Sequence, residues 1–327
     1  MTPKTIQNAI HHMFNNHDSV RFIQFFGGEP NLTFQSMQVA VDETRQICDI
    51  RGLKYPRFGI ITNLTILNEE ILSFYKHNHL MVTVSIDGIE TIHNTLRKHS
   101  SGCGTHDRVV YNISQLNKAG LPFAVECTFT RAHIDTGITV VDLLKYFDQL
   151  GAVRSDIVCV MTRSNSDLDV YNDVFQQVIQ LFTEAVDYWF DYWRRGGKTM
   201  FGIIGEIISA LKDSSRRIYC PAGESYLAVA PNGEIFPCHL FIGNKKYVLG
   251  NVKSPSNILG FKNSLDNISH CNNCSVSSLC FSCLGRNEYY CGNWEEPFEY
   301  DCILKRKVIN RVLENLGVND KKKDRLL

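Results

Sequence analysis

The sequence has no excess of charge of either sign: Lys and Arg number 34, and Asp and Glu number 34, in 327 residues. Nucleic-acid binders and membrane-surface proteins carry a basic excess, so neither partner is expected. No run approaches the roughly 18 apolar residues of a membrane span. The opening Met1-Thr2-Pro3-Lys4 lacks the apolar stretch of a signal peptide. Internal repeats and low-complexity tracts are absent too. These absences predict a soluble, cytoplasmic protein, and the basic Lys321–Arg325 stretch reads as a solvated terminus. With 44% hydrophobic residues the chain can bury a sizeable core, and its length allows two or three domains at most.

Cysteine, by contrast, is plentiful. Twelve cysteines in an intracellular chain argue against a disulfide scaffold and for metal or redox work. Eight of them fall between residues 220 and 302, where an even scatter places about three.

Up to about residue 165 short apolar runs alternate with helical stretches. The runs are 20–26, 57–62, 80–86, 122–130 and 156–161. The helices are 36–49, 68–77, 108–118 and 140–150, three of them closed by Gly52, Gly120 and Gly151. Glycine just past a helix is a stop signal because it accepts the left-handed conformation. Strand–helix alternation of this kind predicts an α/β fold with a parallel sheet covered by helices, a TIM-like barrel or part of one. The chain opens instead with a helix, from Thr2 as N-cap through about His17. Residues 174–193 form an amphipathic helix, with Phe175, Val178, Ile179, Phe182, Val186, Trp189, Phe190 and Trp193 on one face.

The eight clustered cysteines are Cys220, Cys238, Cys271, Cys274, Cys280, Cys283, Cys291 and Cys302. Cys271 and Cys274 are separated by two residues, as are Cys280 and Cys283. That spacing lets two sulfurs converge on one centre within a turn. Eight thiolates suffice for two 4Fe–4S clusters or two tetrahedral zinc sites, and spacing alone does not choose between them. Cys48, Cys103, Cys127 and Cys159 read as small buried or incidental residues.

Cys220-Pro-Ala-Gly, Pro231-Asn-Gly-Glu-Ile-Phe-Pro-Cys238, Gly250-Asn251-Val252, the paired Cys-x2-Cys units and Cys302 together resemble the SPASM domain of radical S-adenosylmethionine enzymes. The departure is Cys280-x2-Cys283, where that family has three intervening residues. The resemblance implies an outer auxiliary 4Fe–4S cluster on Cys271, Cys274, Cys280 and Cys302. It implies an inner one on Cys220, Cys238 and Cys283, with Cys291 either its fourth ligand or a bystander. Gly27-Gly28-Glu29-Pro30 resembles the GGEP motif, in which glycines admit a ligand close to the backbone and Glu29 receives the methionyl amine. Asn63, Ser85 and Arg97 resemble the family's further S-adenosylmethionine contacts, Arg97 as a carboxylate clamp. Asp87 is either part of that site or a turn cap, and His93-Asn94 departs from the family's pair.

Radical enzymes of this kind hold a catalytic cluster through Cys-x3-Cys-x2-Cys after the first barrel strand, and this sequence has no such spacing. The missing strand and the missing motif imply a partial (β/α)6 TIM-like barrel lacking its first strand, N-terminally truncated and expected to be inactive as given. The implied organisation is a partial barrel over 1–165, a bridging helical region over 166–215, a SPASM domain over 216–310 and a tail over 311–327. The resemblance implies a maturase of a ribosomally made peptide or protein. Its cofactors would be S-adenosylmethionine, in the full-length protein, and two auxiliary 4Fe–4S clusters. Its electron donor would be a flavodoxin or ferredoxin. The other readings are an anaerobic sulfatase-maturing type of enzyme and a non-catalytic, metal-stabilised peptide-binding protein.

Overall fold

The computed structural model describes residues 1–17, 19–162, 166–212, 220–254, 261, 268–281 and 283–318. The Lys321–Arg325 stretch and residues 213–219, at the junction of the expected bridging and SPASM segments, lie outside the described residues. Helix α1 (Pro3–Asn16) begins where the sequence places it. Its N-cap Thr2 accepts a bond from the Thr5 amide at 3.2 Å, and Pro3 sits in the first turn, where its missing N–H costs nothing. Strand β1 (Phe22–Phe25) leads through the Gly27-Gly28 turn to α2 (Phe34–Arg51). Gly52 closes α2 in the left-handed conformation, φ 64°. Then follow β2 (Arg57–Thr62), α3 (Glu69–His77) capped by Asn68, and β3 (Met81–Ser85).

Next come α4 (Glu90–Leu96), α5 (His106–Lys118), β4 (Phe123–Phe129), α6 (Arg131–Asp135), α7 (Val140–Gln149) and β5 (Arg154–Cys159). Helix α8 (Phe175–Arg194) buries the expected apolar face, except that Trp193, near its C-terminal end, is 57% exposed and stacks on Trp189. A two-residue strand β6 (Met200–Phe201) and α9 (Gly202–Lys212) occupy the stretch expected to be a helical bridge. The cysteine-rich part contains β7 (Ala228–Val229), β8 (Glu234–Phe236), β9 (Gly250–Asn251), α10 (Leu284–Cys291) and α11 (Glu299–Asn315).

Strands β1 to β6 form one six-stranded sheet in sequence order, and β7–β8–β9 form a small antiparallel sheet. The pairs β1–β2, β4–β5 and β5–β6 are parallel, with Glu126 opposite Asp156 and Ser155 opposite Phe201. This is the α/β, partial-barrel arrangement that strand–helix alternation predicts. The sixth strand is the difference: five were legible, and two residues carry no period of their own.

The chain divides into two compact units. One comprises Met1–Thr62, Ile66–Thr83 and Pro221–Asn263; the other comprises Asn63–Thr65, Val84–Cys220 and Ser264–Leu327. In the first, Ile6, Ile10 and Phe14 of α1 pack on Ala40, Ile47 and Cys48 of α2, and Ala9 packs on Ile235, Leu249 and Val252. Burying one such Ile or Leu contributes about 1.5–3 kcal/mol. In the second, the Phe129 ring meets Phe182 of α8 edge-on at 5.8 Å, and Arg311 of α11 pairs with Asp187 of α8 at 2.6 Å. Cys48, Cys127 and Cys159 are buried as small apolar groups, whereas Cys103 is exposed. No helix among the described residues is long and apolar enough to cross a membrane.

Candidate functional site

The first strand end is built around glycine. Gly27 and Gly28 take φ of 109° and 37°, and a side-chain carbon built on either meets no atom within 4 Å. The turn therefore leaves its backbone open to a ligand at conformations that L side chains rarely adopt. Glu29, which follows, is 8% exposed. Its Oε1 accepts bonds from the Thr62 hydroxyl at 2.7 Å and the Asn31 amide at 3.0 Å. Pro30, buried, starts the short 3-10 turn that brings Asn31 round. The Asn31 side chain donates to Thr62 Oγ1 and to the Ile66 carbonyl, and accepts from the buried Tyr75 hydroxyl at 2.7 Å. Burial pushes the Tyr75 phenol well above its ordinary range, so it remains a donor. The carboxylate at the end of β1 is thus fixed by neighbours rather than left on a surface.

The remaining expected contacts belong to the other unit. Asn63, just past β2, accepts from the Thr65 amide and hydroxyl at 3.0 and 2.8 Å, a local turn that sets its side chain. Ser85 is the last residue of β3. Arg97 does not stand alone: its Nε and Nη2 grip Asp87 at 2.5 and 3.1 Å. Asp87, 2% exposed, also accepts from the Thr128 amide at 2.9 Å. Its backbone N–H donates to His93 Nδ1 at 3.3 Å, and its carbonyl accepts from His133 Nε2 at 2.8 Å. Asp87 is therefore a hub tying β3, β4, α4 and α6 together, a role beyond capping a turn. His93, to which the sequence assigns no role, is fully buried, and burial lowers its pKa to about 4. Its neutral ring receives the Asp87 amide and meets Thr105 Oγ1 at 3.0 Å.

The cysteines separate into neighbourhoods. From Ile268 to Cys280 the backbone runs through successive tight turns, Cys271 to Ile268, Cys274 to Cys271, Ser277 to Cys274 and Cys280 to Ser277. Cys302 lies in the first turn of α11. Burial first, then the thiols of Cys280 and Cys271, push the Cys302 thiol up to about 11, against the pull of Lys305. Cys271, Cys280 and Cys302 thus share one neighbourhood, and the turn at Cys274 brings a fourth sulfur-bearing residue beside Cys271. Cys283 caps α10, and Lys305 faces both Cys280 and Cys283.

Cys291 ends α10, partly exposed, with Glu296 as the charge that acts on it. Cys238 is buried in the other unit, its sulfur accepting from the Leu240 amide at 3.3 Å. Cys220 ends the Val84–Cys220 segment of the second unit. Among the described residues no three His, Cys, Asp or Glu side chains form a group suited to a single metal ion. A cubane, in which each iron takes one cysteine, spreads its ligands more widely than one ion does. The donor set around Cys302, soft thiols facing a buried cation, fits such a cluster.

That cation belongs to a group that sequence reading misses. Asp301, 4% exposed, accepts from the Tyr171 hydroxyl at 2.9 Å and from Arg286 Nε at 2.9 Å, and Lys305 Nζ stands 3.5 Å away. Arg286 also donates to the Cys159 carbonyl at 2.9 Å and to Tyr171. Burial works to raise the Asp301 carboxyl, but the two cations and the Tyr171 bond hold it below its ordinary range. Tyr171 lies 130 residues from Asp301 in sequence and Arg286 lies 15 away, and only the i, i+4 spacing of Asp301 and Lys305 hints at the group.

Residues 1–150 match the model of the radical SAM superfamily, and residues 220–284 that of the SPASM iron–sulfur cluster-binding domain. Among curated proteins, the chain is 22% identical over 303 residues to a cysteine-type anaerobic sulfatase-maturating enzyme of Clostridium novyi, covering 86% of this chain and 78% of that one. It is 24% identical over 334 residues to the radical SAM cyclopropyl synthase TigE of Paramaledivibacter caminithermalis, covering 96% and 66%. Among solved structures, native anSMEcpe with bound AdoMet and Cp18Cys peptide superposes with a TM-score of 0.77 at 19% identity, covering 97% of this chain and 91% of that one. The two domain matches together take in about two-thirds of the residues, so the chain carries a radical SAM domain followed by a SPASM domain.

Proposed function

We propose that this is a radical S-adenosylmethionine maturase that modifies a ribosomally made peptide or protein by hydrogen-atom abstraction. Two auxiliary 4Fe–4S clusters serve it, one on Cys271, Cys274, Cys280 and Cys302, the other on Cys220, Cys238 and Cys283 with Cys291 as candidate fourth ligand. The observation that carries the reading is the shared neighbourhood of Cys271, Cys280 and Cys302 in a chain whose β1 ends in the open Gly27-Gly28 turn. Bound clusters supply one-electron transfer, and S-adenosylmethionine supplies on reduction the radical that abstracts hydrogen. The chain's own residues bind and orient. Gly27 and Gly28 admit the methionyl end, Glu29 receives its ammonium, Pro30 shapes the turn, and Asn63 and Ser85 offer hydrogen bonds to oxygen atoms. Arg97, fastened to Asp87, presents a positioned positive edge to a carboxylate. A peptide is the substrate class suggested by relatives that mature sulfatases or make cyclopropyl groups.

Cys-x3-Cys-x2-Cys does not occur in these 327 residues, so the polypeptide as given offers no ligand triad for the catalytic cluster. Anaerobic reconstitution should give a brown protein with absorption near 400 nm and about eight irons per chain. It should form no 5′-deoxyadenosine. A colourless protein with about two zincs would favour a metal-stabilised peptide binder. The sulfatase-maturing reading is favoured by the Clostridium novyi relative and separates by product: incubation with a cysteine-containing sulfatase peptide would leave an aldehyde that a hydrazide probe captures.

A further inference from the structure

Asp301, Arg286 and Lys305 form one buried group with unequal charge. Among the described residues a single carboxylate, 6% exposed, serves two cations whose side chains are 14% and 15% exposed. The group carries a surplus of one positive charge, and a buried cation without compensation is expensive. Arg286 is fully committed, to Asp301, Tyr171 and the Cys159 carbonyl. The surplus therefore sits on Lys305. This residue lies on α11 one turn beyond Asp301 and Cys302, on the same helical face. Its Nζ stands 3.5 Å from Asp301 Oδ2 and 5.7 Å from the centre of the Phe281 ring, next to Cys280. Cys280 and Cys283 also face it, as does the Arg286 guanidinium.

We infer that Lys305 is the counter-cation of the cysteine pocket: pinned between Asp301 and Phe281, it raises the reduction potential of the cluster held by Cys271, Cys280 and Cys302. The inference rests on the iron–sulfur reading given above. A thiolate-ligated cluster is anionic and becomes more so when it gains an electron, so a fixed cation beside it favours the reduced form. The effect is strengthened because the Lys305 side chain is itself only 15% exposed. Asp301 cannot follow Lys305 elsewhere, since Tyr171 and Arg286 hold both of its oxygens. The charge is thus fixed before reduction, with no side chain left to reorganise. Because Lys305 also faces Cys283, the same charge reaches the ligand set assigned to the inner cluster.

The test is a dithionite redox titration of the reconstituted protein, followed by electron paramagnetic resonance, on wild type, Lys305→Met and Lys305→Arg, with iron measured in each. At fixed potential the reduced-to-oxidised ratio in Lys305→Met should fall about tenfold, equivalent to about 59 mV for one electron, and Lys305→Arg should restore it. Loss of iron in Lys305→Met with retention in Lys305→Arg also supports the counter-charge. Loss in both variants makes Lys305 a packing residue and overturns the inference, as does a Lys305→Met protein that keeps its iron and titrates like wild type. A wild-type protein that takes up no iron sinks the cluster reading itself.

Discussion

Replacing Asp87 tests whether the loop after β3 is held by one carboxylate. Its oxygens take two bonds from Arg97 and one from the Thr128 amide in a site only 2% exposed. Removing one member of a buried, hydrogen-bonded charge pair costs about 3–5 kcal/mol, because the partner is left uncompensated. Arg97 keeps 31% of its side chain in solvent and recovers part of its hydration, which places Asp87→Ala near the lower end, about 3 kcal/mol. Asp87→Asn keeps an acceptor for Thr128 but turns a donor toward the guanidinium, and should cost about 2 kcal/mol. Arg97→Ala should cost at least as much as Asp87→Ala, since it strands a carboxylate only 2% exposed with the Thr128 bond alone. The Asp87→Ala/Arg97→Ala double variant should fall well short of additivity. Denaturant unfolding followed by both fluorescence and circular dichroism measures these differences. An Asp87→Ala protein within about 0.5 kcal/mol of wild type would refute the reasoning, since charge-assisted bonds to a buried carboxylate are each worth more than that.

Stability should also depend on pH through His93. Its folded pKa, about 4, lies below the ordinary 6.5, so the unfolded chain takes up a proton that the folded chain refuses. Stability is therefore complete above pH 6.5 and is lost as pH falls toward 4, by up to about 3 kcal/mol from this residue. His93→Gln should flatten that slope in unfolding curves between pH 7 and 4, and an unchanged slope would show that the ring titrates freely. Gly27→Ala should destabilise by about 1–3 kcal/mol through its φ of 109°, with no clash to relieve; a melting temperature equal to wild type would contradict this. Cys302→Ala should halve the iron content of the reconstituted protein from about eight to about four per chain; a full complement after this change would remove Cys302 from the ligand set.

Sequence and structure agree where physics is local. The runs at 57–62 and 122–130 reappear as β2 and β4 because apolar stretches flanked by turn residues have few alternatives. Thr2, Asn68 and Gly52 cap their helices as their chemistry dictates. Strand β6 was not legible, since Met200 and Phe201 become a strand only by pairing with Arg154 and Ser155. The carboxylate at Glu29 was readable from the two glycines before it, but the Thr62 and Asn31 bonds that orient it were not. Asp87 looked ambiguous because its partners, Arg97, Thr128, His93 and His133, are contributed by separate elements. The Arg286–Asp301–Tyr171 group was invisible for the same reason: a long-range polar network leaves no period in the chain.

One packing detail bears on how such a protein can be taken apart. Ala9, near the start, completes the apolar cluster that Ile235, Leu249 and Val252 form around the small antiparallel sheet. A fragment cut out at the first clustered cysteine would expose that greasy face, and so would a deletion of the opening helix. Swapping this segment between relatives thus calls for exchanging the opening helix along with it, a covariation that protein engineers would need to respect before grafting a new cysteine module onto this scaffold.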